Sequence, residues 1–89
     1  MEGPAVSLEK YQTLMAVLEA GSLTRAAAEL GCTQSAVSHG IDSLERALGF
    51  AVLKRSRAGV RLTEEGERLL PAVRSLLAAA LYNYVQLRG

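Results

Sequence analysis

Tryptophan is absent from the 89 residues, and phenylalanine and cysteine occur once each. A core without large aromatics must be built from aliphatic side chains. A lone cysteine excludes an internal disulfide and a cysteine-based zinc cluster, and it suits a reducing compartment. Long apolar runs are missing too. No stretch approaches the ~18 apolar residues that a membrane span needs, and Met1 to Ser7 has neither the basic start nor the apolar stretch of a secretion signal. Nor is there an excess of one charge: 10 Lys and Arg oppose 9 Asp and Glu, a net charge of +1. Any nucleic-acid reading must therefore rest on where the cations sit rather than on their number. What is present, 49% hydrophobic and 21% charged residues in a chain of this length, describes one small globular domain and not a disordered segment.

The cations are concentrated in the middle third. Residues 1–30 carry Glu2, Glu9, Glu19 and Glu29 against Lys10 and Arg25, and residues 63–89 balance three Glu against three Arg. Between them, Arg46, Lys54, Arg55, Arg57 and Arg61 face only Asp42 and Glu45, and four of these five cations lie within 54–61.

Period and capping residues predict four helices. Ser7 is placed to cap a helix over 8–19, with Glu9 in its positive first turn and Leu8, Tyr11, Leu14, Met15 and Leu18 at helical spacing. Gly21 ends it. Ser22 caps a short second helix whose stripe is Leu23, Ala26, Ala27 and Leu30, with Gly31 as the stop; the small alanines let another helix approach closely. After Cys32, expected as a buried thiol in the turn, Thr33 caps a third helix. Its apolar stripe is Val37, Ile41, Leu44 and Leu48; Ser35, His39, Asp42 and Arg46 lie opposite, with Ser38 on their flank. A short helix, a tight turn and an amphipathic helix with a polar outer face make a helix-turn-helix candidate.

Two short apolar runs, Phe50–Leu53 and Val60–Leu62, flank the cationic loop 54–59 and predict a hairpin. Thr63 then caps a last helix over 64–88, about 37 Å long at 1.5 Å per residue. Leu70, Val73, Leu77, Ala80, Tyr84 and Leu87 follow an alternating spacing of three and four, the seam of a coiled coil. A rod of that length outruns the small core, so the seam is assigned to a second copy of the chain, with a strip of the chain's own core or a contact to a further domain as the competing readings. Pro71 inside the pattern is expected to bend the helix.

The run Gly-Ser-Leu-Thr-Arg-Ala-Ala-Ala-Glu-Leu (21–30), Thr-Gln-Ser-Ala-Val-Ser (33–38), Ile41, Leu-Glu (44–45), Leu-Gly (48–49) and Leu-Thr-Glu-Glu-Gly (62–66) resembles the N-terminal domain of LysR-type bacterial transcriptional regulators, over about residues 8–88. The resemblance implies an all-α fold with a small β-wing: a winged helix-turn-helix followed by a long linker helix that pairs two subunits. It further implies a C-terminal domain, outside these residues, through which any small-molecule effector would act. Two positions depart from the family pattern. Gly40 stands where a polar residue is usual, and Val52-Leu53 stands where Leu-Phe is usual.

On this basis the recognition helix offers Gln34, Ser35, Ser38 and His39 to the major groove. Gln suits the edge of adenine, and Ser suits several base edges. Thr33, a cap first, and Thr24 with Arg25 at the start of the second helix sit where helix N-termini favour a phosphate. Arg55 and Arg57 form a wing that meets phosphate or the minor groove, and strand alternation sends Lys54 and Arg55 to opposite faces. The bland alternative for each is a solvated polar surface.

The sequence thus predicts a flexible stretch over 1–6, a DNA-binding unit over 7–63 (helix-turn-helix about 23–42, wing about 51–62) and a dimerisation helix over 64–89. The partners expected are double-stranded DNA and a second copy of the chain, with a tetramer open to a full-length protein, in the bacterial cytoplasm on the nucleoid. No cofactor, metal ligand set, membrane association or enzymatic residue set is proposed. The competing function is a winged-helix dimerisation or protein-interaction module that does not read DNA, kept open by Gly40 and the near-neutral charge.

Overall fold

A computed structural model describes residues 7–88; the expectation for 1–6 lies outside them. The order is α1 (Leu8–Ala20), α2 (Leu23–Leu30), α3 (Gln34–Leu48), β1 (Leu53–Ser56), β2 (Gly59–Leu62) and α4 (Glu64–Arg88). This is the all-α architecture with a two-stranded wing that the sequence predicts.

The caps work largely as the residue types suggest. The Ser22 hydroxyl accepts from the Arg25 amide, and that of Thr33 accepts from the Ala36 amide. Ser7 occupies the cap position of α1, but its side chain makes no cap bond. Gly31 closes α2 with φ 73°, a left-handed conformation that a side chain would strain. The Cys32 amide then donates back to the Ala27 carbonyl at 3.0 Å, which turns the chain into α3 within two residues.

Leu14 and Val17 of α1, Ala26 and Ala27 of α2, Val37, Ile41 and Leu44 of α3, and Val52 and Leu53 beside the wing form one core. Ala26 and Ala27 are almost fully buried, so α2 lies close against both α1 and α3. Truncating Ile41 to Ala in this core costs about 2–5 kcal/mol.

Three expectations at the core boundary are corrected. Leu8 and Leu30 are exposed; each stands at the terminus of its helix. Cys32 is exposed, since the turn directs its backbone inward for the bond to Ala27. Val17, which the α1 stripe passed over, is fully buried.

The wing also differs in detail. The strand enters the cationic segment, so Lys54 and Arg55 belong to β1 and only Arg57 and Ala58 form the turn. Register pairs Leu53 with Leu62, Lys54 with Arg61, and Arg55 with Val60. Leu53, Arg55, Val60 and Leu62 therefore share the inner face, while Lys54 and Arg61 share the outer one.

The α4 helix is continuous through Pro71. Thr63 ties it to the wing: its hydroxyl donates to the Ala51 carbonyl at 2.7 Å and accepts from the Gly66 amide at 2.9 Å. The seam assigned to a second chain is partly used within the protomer. Val73 is 1% exposed, and Leu70, Leu77 and Ala80 are half-buried, because α1 and β2 pack against α4. Tyr84 and Leu87 are exposed, and so are Leu76, Leu81 and Val85 on the neighbouring edges.

Candidate nucleic-acid interface

The helix-turn-helix pair presents its polar side outward because the apolar stripe of α3 is spent on the core. Gln34, Ser35, His39, Asp42 and Arg46 are exposed, and Ser38 is half-buried. Thr24, at the start of α2, donates its hydroxyl proton to the Gln34 side-chain carbonyl at 3.0 Å. That bond joins the N-termini of α2 and α3 into one polar corner. Thr33 stands at the same corner, with its hydroxyl committed to the Ala36 amide. Arg25 is exposed beside it. Two helix N-termini and their unpaired amides at one corner favour an anion there.

The wing flanks the other side of α3. Alternation places Arg55 on the inner face, and its guanidinium reaches back to α3, donating to the Ser38 hydroxyl at 3.0 Å and to the Asp42 carboxylate at 3.1 Å. This explains the partial burial of Ser38. Arg57 stays exposed at the turn, which Ser56 shapes by accepting from the Ala58 amide. Lys54 and Arg61 stand opposite one another on the outer face. Like charges so placed repel, and neither has an acidic partner among the described residues.

The structure thus brings together Thr24 with Gln34, and Ser38 with Arg55. It leaves His39 apart from both pairs, on the side of α3 where Gly40, Lys10 and Thr13 line a cleft against α1. Gly40 faces that cleft: a β-carbon there would meet only the Thr13 methyl at 3.8 Å. The missing side chain is therefore removed from the α1 side and not from the outer face.

Two residues with structural roles were not singled out by sequence. Asp42 was read as part of the outer face, without its partner. Glu45 accepts from the Val52 amide at 2.7 Å and the Leu53 amide at 3.1 Å, fixing the wing to α3. Alternation separates Lys54 from Arg55, but the distance folded between 42 and 55 is not visible in the sequence. Among the described residues no group of His, Cys, Asp and Glu could hold a metal ion, and no helix is long and apolar enough to cross a membrane.

A family model described as bacterial regulatory helix-turn-helix protein, lysR family, matches residues 8–67. The HTH-type transcriptional activator AmpR of Pseudomonas aeruginosa is 47% identical over 73 residues, which cover 82% of this chain and 25% of that protein. A probable nitrogen assimilation transcriptional activator of Synechococcus elongatus is 42% identical over 69 residues, 78% of this chain and 22% of that protein. The chain thus spans about a quarter of the length of the curated relatives it matches. Among solved structures, the CbnR DBD–DNA complex superposes with a TM-score of 0.86 at 30% identity, covering 93% of this chain and 95% of that one. The BenM DBD in complex with benA site 1 DNA gives 0.86 at 29% identity, covering 93% of each.

Proposed function

The chain belongs to the lysR family of bacterial regulatory helix-turn-helix proteins, and on that footing we propose that it binds double-stranded DNA sequence-specifically as the DNA-binding part of a transcriptional regulator. Residues 7–63 are the reading unit and α4 is the linker helix. The exposed outer face of α3, framed by the Thr24–Gln34 corner and the cationic wing, carries this reading. Gln34, Ser35, Ser38 and His39 face base edges, Thr24, Arg25 and Thr33 approach the backbone, and Arg57 reaches it from the wing. The CbnR and BenM structures, both DNA complexes, support the assignment.

Self-association follows through the distal half of α4, where Leu81, Val85 and Leu87 remain exposed. A two-fold pair places two recognition helices on successive major-groove faces and calls for a partly palindromic site. Family membership supports a site of action on the nucleoid in the bacterial cytoplasm, with any effector acting through a further domain. The test is a titration of the chain on mixed genomic fragments at two salt concentrations. Affinity should fall as salt rises, with a slope of about −0.9 per phosphate neutralised. An intact dimer whose binding is absent or salt-insensitive identifies a protein-interaction module instead.

A further inference from the structure

Asp42 is a carboxylate on the very face proposed to enter the groove, where phosphates repel it. Arg46, one turn farther along, makes no ion pair among the described residues; the partner of Asp42 is Arg55, from a different element. The Arg55 guanidinium lies across two successive turns of α3, on Ser38 and Asp42. Both charged side chains keep contact with water, at 36% and 50% exposure, so the pair lies at the surface. A guanidinium carries five N–H donors in a planar fork, and this arrangement commits two of them to the protein.

We infer that Asp42 is a specificity-determining positioning residue: it holds Arg55 on the major-groove side of α3, where the remaining donors address a base edge with two acceptors, that of guanine, in place of a phosphate. The inference rests on the DNA-binding reading. It divides the wing, giving Arg57 to the backbone and Arg55 to the bases. A phosphate contact weakens binding to all sequences alike, whereas a base contact relaxes preference at one position.

The experiment is selection from a random 30-base-pair duplex library, followed by sequencing, with wild type, Arg55→Ala, Asp42→Asn and the double variant. Titration on the best wild-type duplex and on unselected library follows. All three variants should lose preference at the same position, a guanine in wild type. Each should bind the selected duplex roughly tenfold more weakly, and the double variant no worse than Arg55→Ala alone, because both residues act as one unit. Affinity for the unselected library should hold within a few-fold. Melting temperatures should stay within about 5 °C, since an exposed pair contributes little to stability.

Uniform weakening by Arg55→Ala with an unchanged profile makes Arg55 a phosphate contact and overturns the inference. So does an unchanged profile for Asp42→Asn, or relaxation by the two variants at different positions. A wild type that binds with salt sensitivity but selects no sequence overturns it as well, while leaving DNA binding in place. A wild type that binds no duplex overturns both.

Discussion

The Glu45 carboxylate lies 2.7 Å from the Val52 amide nitrogen and takes the neighbouring Leu53 amide with the same oxygen. One side chain of the recognition helix thereby fixes where the wing begins. Val52 is fully buried, so its amide has no route to water when the acceptor is removed. Glu45→Ala should cost about 2–4 kcal/mol, two charge-assisted bonds and an orphaned amide. Thermal unfolding by circular dichroism should show a fall of at least ~10 °C. A change of only a degree or two would mean that water replaces the carboxylate.

Two glycines make opposite predictions. A β-carbon on Gly66 would stand 2.5 Å from the Val52 carbonyl oxygen and 3.0 Å from a Leu62 methyl. The first of these is backbone and cannot rotate away, so Gly66→Ala should destabilise by about 1–3 kcal/mol. A β-carbon on Gly40 meets only an ordinary contact. Gly40→Ala should therefore stabilise by about 0.5–1 kcal/mol, the helix cost of glycine, and leave DNA affinity unchanged. Loss of binding in Gly40→Ala would show that position 40 does face nucleic acid.

Arg57 stands exposed at the wing turn. Arg57→Ala should weaken binding to every duplex by a similar factor and flatten the salt slope by about 0.9 per subunit, with the melting temperature nearly unchanged. A large thermal shift would make Arg57 structural.

On α4, the exposed edge and the buried one separate cleanly. Val85→Glu should yield monomers in sedimentation at concentrations where the parent chain is dimeric, with the fold intact. Val73→Glu places a charge in the protomer's own interior and should abolish folding. If Val85→Glu stays dimeric, the distal edge is not the interface.

Much of this was legible in the sequence, for identifiable reasons. The α2–α3 turn follows from local chemistry: a glycine at the helix end, and a threonine hydroxyl satisfying one of the next helix's free amides. The stripe Val37, Ile41 and Leu44 follows from period alone. The apolar spacing on α4 is legible as a pattern, but the surface it meets is not. Val73 is buried within the protomer while Leu87 is exposed, and period cannot say which surface a stripe will meet. Arg55 shows the same limit. Its face follows from strand alternation, but its partners Ser38 and Asp42 exist only once the hairpin folds back. Cys32 failed because a tight turn gives the backbone priority over the side chain for the inward position.

Pro71 removes one rung from the hydrogen-bond ladder of α4, leaving the Glu67 carbonyl without its intrahelical donor. Leu87 lies sixteen residues beyond, about 24 Å along the axis. At that distance a lean of only ten degrees at the missing rung swings the tip sideways by about 4 Å, more than the 3.4 Å between stacked base pairs. In the two-fold assembly proposed above, joined near those tips, one residue on the solvent side of a helix would be the gauge that sets how far apart the two reading heads can stand.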